Sequence, residues 1–176
     1  DKLSGRGGSV IYNIYRSFFH FDTSGITTDV GSATFKVRGA FNGGGDLIAV
    51  KSNSDILTLG TADFGSIVGW NTTTDGSGGG DNESNVTKYS AEISTWSTGG
   101  YNDITLNAQA LADMRDDNAF YICLINYDYD LKDIAPTGFS SNRNGLYYTN
   151  YTGTSRDPYL DYELAPTVTD NAIFFG

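Results

Sequence analysis

The residues best placed to do chemistry lie in the run Asn126-Tyr127-Asp128-Tyr129-Asp130-Leu131-Lys132-Asp133. Asp128 and Asp130 alternate with tyrosines, so on an extended chain both carboxylates point to one side. Asp133 can close round from the turn that follows. Hard oxygen ligands at this spacing suit Ca²⁺ in a structural role. The run is not an EF-hand loop, because no glycine follows and no glutamate closes it at the right distance. The competing expectation is a solvated acidic turn. A second acidic cluster, Asp113-Met114-Arg115-Asp116-Asp117-Asn118, reads as a solvated helix end.

Other chemistries find less support. His20 stands alone between Phe19 and Phe21, and no Ser or Cys near it forms a nucleophile elbow. A structural or surface role is expected for it. Glycoside hydrolysis needs two carboxyls set about 5–9.5 Å apart with separated pKa values. Glu83, Glu92 and Glu163 are the only glutamates, and none sits in a context that suggests such a pair. The chain therefore reads as non-enzymatic.

Planar rings are the remaining candidate. Trp70, Trp96, Tyr101, Tyr147, Tyr148 and Tyr151 lie in or near turns, where an exposed ring can stack on the apolar face of a sugar. Tyr147 and Tyr148 are adjacent, so on a strand one of them must face outward. Packing in the core or its rim is the alternative for each ring. The sequons at Asn71, Asn82, Asn85 and Asn150 matter only in a glycosylating host.

Composition bounds the scaffold that must hold these groups. The 176 residues suit one domain with its own core. Hydrophobic residues make up only 39%, but 12 Tyr and 10 Phe bury a large area each. The net charge of −10, with 11 Lys plus Arg, repels phosphate backbones and anionic lipid, so nucleic acid and membranes are not expected partners. Cys123, the one cysteine, excludes an internal disulfide framework and lies in the apolar run 120–125. No run approaches the roughly 20 apolar residues of a membrane-spanning helix.

Two-residue periodicity dominates the chain. Strands are expected over 10–15, 17–21, 33–41, 46–52, 120–127, 145–151 and 158–164, with 120–127 central because it is the most apolar. Phe19, Phe21 and Arg16 are expected on one pleat. Turn signals such as Gly43-Gly44-Gly45, Gly99-Gly100 and Asp157-Pro158 separate the strands. One short helix is expected over 107–115, with Leu111 and Met114 on one face, and 54–59 fits a single helical turn. Residues 71–85 read as a mobile loop. The fold expected is an all-β, antiparallel jelly-roll β-sandwich over 10–166. A flexible arm (1–9) precedes it, and a tail or added strand (167–176) follows.

The run Arg16-Ser17-Phe18-Phe19-His20-Phe21-Asp22-Thr23-Ser24-Gly25-Ile26, followed by Ser32-Ala33-Thr34-Phe35-Lys36-Val37, resembles the opening of DNRLRE-type β-sandwich domains. Trp96 with Ser97 to Gly100, Ile104 to Leu106, Phe139-Ser140-Ser141 and Arg156 to Leu160 fit the same plan. The ending, Asp157 to Tyr162 and then Val168 to Gly176, resembles small structural proteins of marine tailed phages. The loop 71–85 departs from that pattern, and 127–133 has no counterpart in it. The resemblance implies a jelly-roll head-decoration or tail-fibre module on a virion surface or outside the cell. Such a module acts by self-association and surface binding, with copies of itself, other virion proteins or a surface glycan as partners. The alternative is a carbohydrate-binding module of a secreted or surface protein, with structural calcium. A glycan-cleaving enzyme is a third and weaker class.

Overall fold

In this computed structural model residues 2–4, 10–53, 58–71, 81–136 and 142–167 are described. The strands are β1 (Lys2–Ser4), β2 (Val10–Tyr12), β3 (Ser17–Asp22), β4 (Val30–Asn42), β5 (Leu47–Lys51), β6 (Tyr101–Thr105), β7 (Ala119–Asn126), β8 (Asn144–Leu146) and β9 (Tyr159–Leu164). Among the described residues a single α-helix, α1 (Ala108–Asp116), lies between β6 and β7. The protein is thus mostly β and antiparallel, with two main sheets and one short helix. β7 is the middle strand of a sheet ordered β3-β7-β5. In the second sheet the long strand β4 has β6 on one side and β9 and β8 in succession on the other. β1 and β2 pair as a separate hairpin.

Alternation along β4 creates the main core. Ala33, Phe35 and Val37 point inward and are buried, while Thr34, Lys36 and Arg38 point outward. Facing them from the other sheet are Phe19, Leu47, Ala49, Phe120, Ile122 and Leu124. Phe35 takes Phe19 and Phe21 edge-on, with ring centroids 5.0 and 5.7 Å away. These aromatic contacts let a chain poor in aliphatics hold two sheets together.

The apolar run of β7 has a physical reason. Ile122 and Leu124 face the main core. Cys123 and Ile125 face a second one with Phe18, Ile48, Val50, Ile67, Val86 and Leu131. The three-stranded sheet is therefore covered on both faces, which removes the need for polar alternation. The outer cover comes from the segments around a 3₁₀ turn (Thr61–Gly65) and residues 81–90. Gly69 is required there. Its φ is +83°, and a Cβ would collide with the Asn85 carbonyl.

α1 starts where the Asn107 side chain accepts a hydrogen bond from the Ala110 N–H at 3.1 Å. Ala110 and Met114 are buried against the core, and Leu111 packs partly against it.

Several expected boundaries shift. The first strand stops at Tyr12, and the late strand from Gly145 ends at Leu146. After Leu146 a turn closes by a hydrogen bond from the Tyr151 N–H to the Tyr148 carbonyl. β6 interrupts its apolar positions with Asn102 and Asp103, which hides its alternation. Arg16 does not share the pleat of Phe19 and Phe21, since it turns toward Phe64 and Trp70. In the expected arm, residues 2–4 form β1. Residues 5–9, 54–57, 72–80 and 168–176, on which the rest of the arm and most of the short helical turn, of the 71–85 loop and of the tail fall, lie outside the described residues, while 81–85 form a turn with Asn82 buried.

Candidate binding surface

The acidic run is not extended. Residues Tyr127–Leu131 coil into a π turn, capped where Asn126 Oδ1 accepts from the Tyr129 N–H at 2.7 Å. Two residues along a helical turn point to nearly opposite sides, so Asp128 and Asp130 diverge. Asp130 turns inward and meets Arg16 in a two-pronged ion pair. Arg16 Nε donates to Oδ2 at 2.8 Å and Nη2 to Oδ1 at 2.7 Å. The two side chains are only 3% and 2% exposed. The guanidinium lies between the rings of Phe64 (4.1 Å) and Trp70 (4.0 Å) and also donates to the Phe64 carbonyl. Burial pushes the Asp130 carboxyl above its ordinary value, and Arg16 pulls against that shift.

The remaining acids of this run are also placed. Asp128 Oδ1 is 3.8 Å from Lys132 Nζ, and Lys132 sits over the Tyr127 ring. The Tyr127 hydroxyl donates to Glu83 at 2.9 Å. Asp133 adopts a left-handed φ of 56°. The structure therefore does not gather Asp128, Asp130 and Asp133 around one point. Among the described residues no group of three or more His, Cys, Asp or Glu is arranged to hold a metal ion.

Five of the six candidate rings separate into two groups. Trp96 is 8% exposed and sits in the main core, its Nε1 donating to the Gly145 carbonyl at 3.2 Å. Its segment crosses β4 at Gly39, where a Cβ would run into the Ser97 carbonyl. Trp70 is a wall of the Arg16 sandwich. Tyr148 turns toward β3, stacks on Phe19 at 5.6 Å and donates to Ser17 Oγ at 2.6 Å. The two tryptophans are packing groups, whereas Tyr148 packs on one side and keeps 41% of its surface exposed. Tyr147 and Tyr151 are different. They meet edge-on at 5.2 Å, and the Arg156 guanidinium lies 4.5 Å from one ring centre and 4.0 Å from the other.

β4 supplies the frame for this trio. The Tyr147 N–H donates to the Arg38 carbonyl, and Arg38 pairs across the strands with Tyr101. The Tyr101 ring meets Tyr159 edge-on at 5.2 Å, and its hydroxyl donates to the Asp157 carbonyl at 3.1 Å. Lys36, two residues along β4, bridges Asp103 (2.9 Å) and Asp161 (3.8 Å). The outer side of the second sheet thus presents four tyrosines around two arginines. Sequence reasoning found Tyr101, Tyr147 and Tyr151 but missed Tyr159, Arg38 and Arg156. Their signal was the outward register of β4, visible only after its neighbours are known.

Two concave features lie elsewhere on the surface. A cleft of about 190 Å³ opens between Ile14 and Tyr15 on one side and Ile134 and Pro136 on the other, over a floor of Leu47, Leu124 and Leu146. Its acids are Asp130, which is held by Arg16, and Asp133. A shallower depression near Tyr121 contains Lys51, whose Nζ lies 3.0 Å from Asp113. Asp113 also accepts from the buried Tyr89 hydroxyl at 2.6 Å and from Gln109 at 3.0 Å. That network ties α1 to the sheet. His20 stacks on Tyr121 at 4.9 Å and touches neither feature. The Asn82 sequon is fully buried, so that residue is unavailable to a glycosylating enzyme in the folded chain.

No protein-family model matches the chain, and no curated protein or solved structure does.

Proposed function

We propose that this chain is a non-enzymatic adhesion module that binds a glycan through the outer face of the β4 sheet. The observation that carries this reading is the Tyr147–Arg156–Tyr151 stack. It is an aromatic bed, exposed at Tyr151 and half-buried at Tyr147, built around a half-buried cation that serves no internal ion pair among the described residues. Tyrosine and arginine supply large contact area with few rotors, the composition of binding hot spots. Tyr101 and Tyr159 extend the bed sideways. Display on a virion or cell surface, a jelly-roll connectivity and membership of the phage-like sandwich group belong to the same proposal, and they rest on the sequence resemblance.

The test is an oligosaccharide array probed with the intact chain. Tyr147→Ala and Tyr151→Ala are expected to weaken binding about tenfold each, equivalent to roughly 1.4 kcal/mol, without lowering the melting temperature. Binding that survives both changes, or that is absent from the start, would refute the reading.

Self-association is the second reading, favoured by one observation. β9 pairs only with β4 among the described residues, and Tyr162 and Leu164 stand exposed along it. A second copy can add a strand there. A solution mass measurement decides this. A monomer at high micromolar concentration removes it.

A further inference from the structure

Arg156 is a group that the fold positions but does not itself use. We infer that the saccharide bound at this face carries a carboxylate, and that Arg156 receives it. This inference rests on the glycan-binding reading above.

The geometry limits what Arg156 can hold. A guanidinium is planar, with five N–H donors along its edge. Here two rings, set 70° apart, form a corner against it. Rings set 70° apart cannot both lie flat on one planar group, so they hold the guanidinium from two directions and leave the N–H groups turned away from them for a ligand. Among the described residues the Arg156 guanidinium meets no acceptor. Of the neighbouring cations, Lys36 is held by Asp103 and Asp161. Arg38 Nη2 donates to the Gly99 carbonyl at 3.2 Å, and its Nε has no partner but is buried out of a ligand's reach.

The open donors select among sugar groups. A hydroxyl or ring oxygen accepts one N–H at a time. A carboxylate accepts two in parallel, and each bond is charge-assisted. Around it, the hydroxyls of Tyr147, Tyr151 and Tyr159 make no bond among the described residues, so they are available to sugar hydroxyls.

Surrounding charge sets the size of the acid. The chain carries −10 overall, and Asp157 is the next residue after Arg156. A polyanion would meet net repulsion beyond the first contact. One acidic unit in an otherwise neutral glycan would not, because screening confines the field to about 10 Å at ordinary salt. The ligand class is therefore a neutral oligosaccharide ended or interrupted by a single uronic or sialic-type acid.

The experiment uses oligosaccharides terminated by one uronic or sialic acid, each beside its carboxyl-reduced counterpart. The intact chain is expected to bind at least one acidic member about tenfold or more tightly than its reduced partner. Arg156→Ala should erase that difference while leaving residual binding to the reduced sugar. Arg156→Lys should recover only part of it, because an ammonium keeps the charge and loses the fork. Equal binding of acid and reduced forms by the unaltered chain would overturn the carboxylate inference and leave glycan binding standing. A difference that persists in Arg156→Ala would overturn the assignment to Arg156. Binding to neither form would overturn both readings.

Discussion

At the scale of single residues, Arg16 and Asp130 show how a residue suited to chemistry can be consumed by packing. An alternating Asp-Tyr-Asp run invites a metal. Burying one of those carboxylates against a guanidinium removes it from any such role. Breaking a buried pair strands a charge, so Arg16→Met or Asp130→Leu alone is expected to cost about 3–5 kcal/mol in denaturant unfolding. The double replacement should recover most of that loss, ending within about 1–2 kcal/mol of the parent. Additive losses would mean that the pair is not a unit. Acid titration carries a second expectation. Hydrogen bonds from Ser24 hold Asp22 below its ordinary value, the Tyr127 hydroxyl does the same for Glu83, and Arg115 for Asp116. A depressed folded value means that stability is complete above the unfolded range near pH 4. It is then lost as pH falls through the folded value. Asp130 has the opposite sign, since its raised value makes protonation favour the folded state. The melting temperature should therefore fall below about pH 4, and fall less in Asp22→Asn. A melting temperature unchanged down to pH 2 would contradict this.

Elements explain which side chains reach the surface. β4 is paired along both edges, and its inward residues are fixed by Phe35 and Val37. Its outward register then places Lys36 and Arg38 without further choice. Tyr147 joins them because its N–H continues the ladder past β8. Close approach of the Trp96 segment depends on Gly39, where the obstacle to a side chain is backbone rather than a movable group. Gly39→Ala should destabilise by about 1–3 kcal/mol or more, the usual cost of overpacking. It should also shift the near-ultraviolet signal of Trp96, because the indole lies over the same spot. An unchanged melting curve would show that the 96–97 segment can lift away.

For the whole molecule, the consequence is a sheet buried twice. β7 has core on both faces, so Cys123 is fully buried and burial pushes its thiol well above the ordinary value. A thiol reagent should label Cys123 only through global opening. Its labelling rate, compared with unfolding measured by fluorescence, checks this. Rapid labelling under native conditions would mean that the cover formed by 58–71 and 81–90 opens independently. The same architecture leaves the outer side of the β4 sheet as the broad aromatic surface, well away from both cores.

Period-two alternation was enough to identify β3, β4 and β9, and short apolar runs identified β5 and β7. The helix formers after Asn107 identified α1, and the unbroken apolar run identified β7 as a central strand. Those features are local, because burial on one face or two is written directly into residue spacing. The candidate surface was legible only in part. Tyr101, Tyr147 and Tyr151 could be suspected from their adjacency to turns, but Arg156 could not be joined to them by sequence. The contact depends on β4 bringing 38, 101 and 147 into one row, with 156–159 folding back beside it. The acidic run shows the same limit. Whether a carboxylate faces solvent, a metal or an arginine 114 positions away is decided by long-range pairing. Local sequence fixes the period of a strand, whereas the identity of its neighbours follows from the packing of the entire chain.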